Sequence, residues 1–433
     1  MRTEAGQRRE PPRGGQIASF SGYAARRVKR LPSWIAVLLL ACAGSKAQQP
    51  LLRVGTSGDY APFSQRDPAG QRGGFDVALA RAYARDRGLA IRWVPVRWDT
   101  LDHDFGAGRF DVVMSGVTIR PERSAAGRFS VPVATSGAVL LTRGGSVPRH
   151  AGARIVVNAG GHLERVARRL FPTATLRPLS PNAAVREALL SGAADAAVSD
   201  TLEAPSWLEG TSGLRVLGPF TRDWKAYWLP ALASERARDL DAWLLAREAD
   251  GSLTALRARY LPESVRKPSA TALVALGAAI EERLSLMPLV AEAKRAAGAP
   301  IRVPAQEQAV LDAGLASVRE AAIRDELAPL ADGAVRDFFI ALIDAAREAQ
   351  ETTLSGPASE AEPVQLEQVL RPALARISER IAWLLVRLPQ PLDEAEVKDV
   401  LAPVQQAGVA PATRERISRA LLGLRGGNFG RRD

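Results

Sequence analysis

Phe110-Asp111-Val112-Val113-Met114-Ser115-Gly116-Val117-Thr118 is the stretch that decides the fold. A short apolar run rich in β-branched residues gives way to small polar ones. This predicts a strand over Val112–Met114 that opens into a loop. Runs at Leu52–Val54, Ile91–Val96, Ile155–Val157 and Ala196–Val198 predict further strands. Amphipathic stretches at Phe75–Arg87, Gly161–Leu170 and Ala183–Ser191 predict helices between them. Strand and helix alternation implies parallel βαβ units, whose ligands collect at the carboxyl ends of the strands. Gly58-Asp59-Tyr60, Ser115–Arg123, Asn158–Gly161 and Asp200–Glu203 each follow a predicted strand, so they are expected to converge on one cleft.

After Pro262 the texture changes to Ala, Leu, Glu and Arg at helical spacing, with little β signal. Long helices are predicted near 268–297, 305–324, 332–353 and 364–387, and shorter ones at 392–406 and 411–424. An all-α bundle is the economical reading.

The 433 residues can hold two or three domains, and 46% hydrophobic with 24% charged residues is a globular composition. The formal charge of +11 is concentrated at one end. Residues 1–47 carry nine Lys/Arg against two Glu, which leaves +4 for the remainder and no nucleic-acid footprint. That leader runs from a basic stretch ending Arg26-Arg27-Val28-Lys29-Arg30 through an apolar core, Trp34 to Ala43, to Ser45-Lys46-Ala47. This order predicts a secretory signal peptide over 1–47, too short in its apolar part to span a bilayer in mature form. Leu39-Leu40-Ala41-Cys42 loosely resembles a lipoprotein box and keeps a lipid anchor at Cys42 open beside soluble export. Cleavage after Ala47 leaves no Cys and hence no disulfide. His103, His150 and His162 have no metal-ligand spacing, and no phosphate-cradling Gly loop is present, so neither metal nor cofactor is expected.

Residues 52–263 resemble the periplasmic type II solute-binding family. The match rests on Gly58-Asp59-Tyr60-Ala61-Pro62-Phe63, Gly74-Phe75-Asp76-Val77, Phe110–Thr118, Pro121-Glu122-Arg123 and Phe129-Ser130-Val131-Pro132. Within it, Val157-Asn158-Ala159-Gly160-Gly161 and Ser199-Asp200 followed by Glu203 resemble the secreted cyclohexadienyl dehydratases. These turn prephenate into phenylpyruvate or arogenate into phenylalanine. The resemblance implies Glu203 as the acid that protonates the leaving hydroxyl, with Asn158 orienting either Glu203 or the leaving oxygen. It implies Arg123 as carboxylate clamp, aided by Thr118 and Ser115, with Tyr60 and Trp98 walling the ring. Asp200 and Gly161 belong to the same motifs, and Lys225 is placed near the lobe crossover, facing the cleft. One departure is His162, where relatives tend to carry Thr.

Residues 273–425 resemble secreted, gamma-type chorismate mutases through Ile280–Met287, Val290–Lys294, Pro300-Ile301, Gln306–Leu311 and Ile343–Gln350. Rearranging chorismate to prephenate needs no nucleophile or metal, only a frozen conformer and cations facing the ether oxygen. Arg283 and Lys294, eleven residues apart, are expected on one face of one helix, since about 100° per residue nearly closes three turns. The resemblance implies Arg283 and Arg380 on carboxylates, Lys294 and Gln350 on the ether oxygen, and Glu307 on the ring hydroxyl. Gln306 stands where some relatives carry Arg. Departures are Arg302-Val303 in place of Glu-Asp, and Glu351-Thr352-Thr353 in place of an aromatic-rich stretch.

The expected architecture is therefore an α/β two-lobed periplasmic-binding-protein type II domain followed by an all-α chorismate mutase helical domain. The first is placed at 48–263, with lobe 1 at about 50–141 and 231–263 and lobe 2 at about 142–230. The helical domain is placed at 268–427. The expected function is an exported bifunctional enzyme that takes chorismate through prephenate to phenylpyruvate, or arogenate to phenylalanine. The alternative is an amino-acid-binding protein of a transporter, fused to an active or decayed mutase.

Overall fold

The computed structural model describes residues 49–143, 146–147, 152–263 and 266–424. The leader, including Cys42 and the expected cleavage point after Ala47, lies outside these residues.

The first lobe holds β1 (Leu51–Thr56), β2 (Ala90–Pro95), β3 (Val112–Val113) and β4 (Gly127–Phe129). Its connections carry α1 (Phe75–Asp86), α2 (Leu101–Gly106) and α3 (Pro121–Ala126). The strand β5 (Ala134–Ser136) crosses to the second lobe. That lobe is built from β6 (Ala138–Thr142), β7 (Arg154–Asn158), β8 (Thr175–Leu179), β9 (Ala196–Asp200) and β10 (Arg215–Leu217), with α4 (His162–Leu170), α5 (Asn182–Leu190) and α6 (Ala204–Leu208). Pairing antiparallel with β5, β11 (Asp223–Lys225) returns the chain, and β12 (Trp228–Pro230) rejoins the first sheet. The helices α7 (Ser234–Ala249) and α8 (Ser252–Tyr260) close the first lobe.

The sheet orders are β2-β1-β3-β12-β4 and β8-β7-β9-β6-β10. In each, three neighbouring strands pair in parallel and the rest of the ladder is antiparallel. The lobes exchange at β5 and β11, several residues before the expected boundaries at 141/142 and 230/231. The reason is that β6 pairs in the second sheet and β12 in the first. Both strands are apolar, and nothing in their composition says which sheet receives them.

In β9 every residue is buried, including Ser199 and Asp200 at its carboxyl end, both 0% exposed. Polar groups buried there cost stability unless they are bonded, and that cost marks the strand end as a built site.

The helical domain begins with two helices where one was expected. The first, α9 (Ala272–Ser285), ends at Leu286, and α10 (Met287–Ala296) restarts after it. Pro288 sits in the first turn of α10 and has no N–H to give to the preceding carbonyls, so the ladder of α9 cannot run through it. There follow α11 (Pro304–Arg324), α12 (Asp332–Leu354), a π turn at Leu366–Leu370, α13 (Arg371–Leu385), α14 (Glu394–Leu401) and α15 (Pro411–Gly423).

Most of α9 is buried all round, as its composition requires, because it packs on α13 within the bundle and on α3 of the first lobe. Trp224 Nε1, on the crossover strand β11, donates to Glu281 Oε2 of α9 at 2.6 Å. Glu379 of α13 pairs with Arg128 at 3.4 Å and Arg238 at 3.0 Å. From Gln49 onward the chain thus forms one compact unit. Among the described residues no helix is long and apolar enough to cross a membrane.

Candidate active sites

The first site lies between the lobes, a cavity of about 50 Å³. Its lining includes Tyr60, Trp98, Thr118, Arg123, Asn158, Gly161, His162, Asn182, Glu203 and Lys225. These come from strand-end loops of both sheets and from the crossover strand β11, so the strand-end argument brings the right segments together.

Glu203 is 3% exposed, and its backbone N–H donates to Asp200 Oδ1 at 3.0 Å. Ser199 Oγ donates to Glu203 Oε2 at 2.7 Å, and Asn182 Nδ2 donates to Oε1. Burial, and then the charge of Asp200, push its carboxyl up to about 8, against the opposing pull of Ser199, Asn182 and Lys225. At neutral pH Glu203 is therefore mostly a neutral acid inside the cavity. Asn158 lines the same cavity, but the amide that orients Glu203 belongs to Asn182. Sequence reading missed Asn182, which starts α5 directly after Pro181 and carries no motif.

Arg123 on α3 is 1% exposed. Its Nε donates to Asp102 Oδ1 at 3.1 Å, and its guanidinium lies 5.5 Å from the Trp228 ring. Its Nη2 is buried without a hydrogen-bond partner among the described residues. Burial and the neighbouring Arg120 lower its pKa to about 10. An orphaned guanidinium N–H beside a cavity is a ready anion donor, since an unmet buried donor is costly.

Lys225 Nζ is saturated. It donates to Tyr60 Oη at 2.9 Å and Thr118 Oγ1 at 3.0 Å, and lies 3.1 Å from Asp200 Oδ2. Asp200 also accepts from Tyr60 Oη and from the backbone N–H of Leu202 and Glu203. Asp200 therefore works from behind the cavity wall and is not part of its lining. Ser115 is likewise outside the lining: its Oγ lies 3.0 Å from both the N and the Oγ of Ser57, pinning the loop after β1. Trp98 meets the Tyr60 ring edge-on at 5.6 Å. Gly116, at φ +66°, lets that ring close in, because a Cβ there would sit 2.5 Å from Tyr60 Cε1. His162 lines the cavity with Nε2 3.1 Å from Asp223 Oδ1 but outside hydrogen-bond geometry, so the departure noted in the sequence sets an imidazole of the second lobe beside the carboxylate of β11.

The second site is a cavity of about 340 Å³ inside the helical domain, walled by α9 to α13. Arg283, Lys294, Gln306, Glu307 and Gln350 all line it, together with Arg347, Arg371 and Val303. Arg283 and Lys294 meet there from two helices, the break at Leu286 notwithstanding. Arg283 is 5% exposed, its Nε and Nη1 have no partner among the described residues, and burial lowers its pKa to about 10. Lys294 Nζ donates to Ile301 O at 2.7 Å, and burial and then Arg371 lower its pKa, opposed by Glu307. Gln350 Nε2 donates to Ala346 O at 3.0 Å, leaving Oε1 unpartnered, as is Glu307 Oε1.

Arg380 is not in this cavity. Its guanidinium pairs with Glu282 and donates to Phe129 O of the first domain, outside the cavity lining. Arg371, at the start of the same helix, faces the cavity instead. Helix α13 turns about 100° per residue, so Arg380, nine residues further on, emerges on roughly the opposite face.

Comparison with known proteins agrees with this division. The bacterial extracellular solute-binding protein family 3 profile matches residues 52–263, and the chorismate mutase type II profile matches residues 274–351. Cyclohexadienyl dehydratase of Pseudomonas aeruginosa is 33% identical over 235 residues, covering 50% of this chain and 87% of that protein. The L-cystine-binding protein TcyJ of Escherichia coli (strain K12) is 27% identical over 50% of this chain and 84% of its own length. A crystal structure of an ancestral amino-acid-binding protein, described as a precursor of cyclohexadienyl dehydratase, is 31% identical. It covers 49% of this chain and 96% of its own, with a TM-score of 0.46. The chain belongs to the family 3 extracellular solute-binding proteins, as a homologue of cyclohexadienyl dehydratase that carries a chorismate mutase type II domain behind it.

Proposed function

We propose that this chain is an exported bifunctional enzyme that rearranges chorismate to prephenate in the helical domain and aromatises prephenate to phenylpyruvate in the two-lobed domain. The observation that carries the second step is Glu203, a buried carboxyl held neutral in a cleft beside an unsatisfied Arg123. Glu203 gives its proton to the ring hydroxyl, the C–O bond breaks, and water leaves. The ring carboxylate departs as carbon dioxide, and its bonding pair completes the aromatic ring. Glu203 then regains a proton from solvent. Arg123 holds the side-chain carboxylate, because pairing the departing one strongly would stabilise the ground state. Asn182 and Ser199 orient the acid, Asn158 is left to receive the leaving oxygen, and Tyr60 and Trp98 wall the ring.

In the helical domain, Arg283 and Arg371 take the two carboxylates of chorismate. Lys294 faces the ether oxygen, Gln350 joins it by turning Nε2 from Ala346 O to the substrate, and Glu307 accepts from the ring hydroxyl. Gln306 extends the polar wall, and Val303 keeps a place in it despite the sequence departure there. Export rests on the signal-peptide pattern of residues 1–47 and on the extracellular character of the matched family. The test is to feed purified protein chorismate and follow prephenate and phenylpyruvate together. Loss of chorismate with no aromatic product rejects the dehydratase.

The cleft also favours prephenate over arogenate. An arogenate ammonium needs a counter-anion, and among the described residues the cavity lining holds one carboxyl, the neutral Glu203, while Asp200 is taken up by Lys225, Tyr60 and backbone. The expected kcat/KM for prephenate exceeds that for arogenate by about tenfold or more, the cost of an unpaired buried charge. Equal values for the two substrates reject this reading of the lining.

Arg371→Ala is expected to lower kcat/KM for chorismate by about tenfold to a hundredfold, as loss of a charged hydrogen-bond donor implies. Arg380→Ala is expected to leave that value within about threefold and to lower the melting temperature, since it breaks a buried domain contact instead. Steady-state kinetics with calorimetry on both variants decides between the two arginines.

A further inference from the structure

We infer that Arg376, on helix α13 of the mutase domain, is a positioning residue for the dehydratase, because it completes the short helix that carries Arg123. The inference rests on the reading of Arg123 as the carboxylate clamp. Helix α3 spans only Pro121–Ala126, too short to persist on its own hydrogen bonds. The last carbonyls of any helix lack partners within it and must find them outside.

Here side chains supplement the backbone: Arg123 O accepts from the cap N–H of Gly127 and also from Trp228 Nε1 of the same domain at 3.0 Å, while the carbonyls after it lie beyond the helix's own bonds. Arg376 Nη2 reaches across the domain boundary to Ala125 O at 3.1 Å, and to Ser124 O and Gly127 O at 3.4 Å each. A cation at this end of a helix also faces the negative pole of its peptide dipoles.

Arg380, one turn further along α13, donates to Phe129 O on the strand that follows α3. The backbone from Ser124 to Phe129 is thereby held by the second domain. Residues 374 and 375, immediately before Arg376, line the mutase cavity, so one helix serves both sites from different faces. A solute-binding domain without this partner leaves the same carbonyls to water, which orders them less. The second domain therefore stiffens the clamp of the first without touching its substrate.

The experiment uses the full chain with Arg376→Ala and Arg376→Lys. It measures prephenate turnover, chorismate consumption, and amide hydrogen exchange over residues 120–129. For Arg376→Ala the expected result is a KM for prephenate raised about fivefold to tenfold with kcat within about twofold, since one charged donor is lost from a positioning contact. Exchange rises over 120–129, while chorismate consumption stays within about twofold, which shows that the fold is kept. Lysine keeps the cation but lacks the planar guanidinium, so it is expected to bring KM only part of the way back to the parent. Unchanged exchange over 120–129, an unchanged KM, or a parallel fall of both activities overturns the inference. The exchange arm needs no turnover, so failure of the dehydratase reading is separable: it shows as a parent protein inert toward prephenate.

Discussion

Glu203→Gln is expected to stop aromatisation while leaving chorismate consumption intact, so that prephenate accumulates. Glutamine keeps the shape of the side chain: its Oε1 still accepts from Asn182 Nδ2, and its amide still meets Ser199 Oγ. What it lacks is a proton that can be given away. Losing a positioned general acid costs about 10²-fold to 10⁴-fold in rate. Quenched time courses with chorismate as the feed read both steps at once, and a variant that still forms phenylpyruvate at the parental rate removes Glu203 from the mechanism.

The same group sets a pH limb. The acid works only when protonated, and burial has moved its carboxyl to about 8. The dehydratase kcat/KM is therefore expected to be level through neutrality and to fall above pH 8, one proton per enzyme. Stability follows the same sign. A carboxyl that binds its proton more tightly folded than unfolded stabilises the fold below the ordinary carboxylate range, and that contribution is lost as pH rises through about 8. Glu203→Gln has no such loss, so its melting temperature is expected to exceed the parent's in alkaline buffer.

Lys294→Ala is expected to abolish most chorismate consumption, by about 10²-fold to 10³-fold, as removing a preorganised donor from a developing negative charge does. The ammonium is held in place by Ile301 O at 2.7 Å, so its charge is aimed before substrate arrives. Burial makes that charge count for more than it does in water. Supplied prephenate is still aromatised by this variant, because no residue of the first cavity changes. The two variants together form a complementary pair, and mixing them restores conversion of chorismate to phenylpyruvate through free prephenate. A Lys294→Ala protein that consumes chorismate normally moves the reaction away from this cavity.

The positions of Glu203, Arg123, Thr118, Tyr60, Trp98 and Gly161 around one cleft were legible in the sequence, because each sits in or beside a loop after a strand, and Lys225 was placed there by the lobe crossover, on β11. Asn182 was not, since it reaches Glu203 through the fold of the second lobe, without a motif of its own. Ser115 and Asp200 carry motif residues' names but turn away from the cavity, one to Ser57 and the other to Lys225. Arg380 shows the same limit from the other side. Its helix was legible, but Arg371, on the opposite face, entered only with the cavity lining. Which face the cavity would take was not legible.

By itself, then, the chain's order of residues determined its two architectures, the family motifs and the segments that meet at the cleft. Strand runs, helical periodicity and strand-end loops are properties of short stretches, read without knowing their neighbours. Only the tertiary structure decided which donor holds Glu203, that Pro288 splits the helix of Arg283 and Lys294, and that α13 turns Arg371 inward and Arg376 toward the first domain. Those outcomes depend on how packed elements roll against one another, and a helix of given sequence presents every face until a partner covers one.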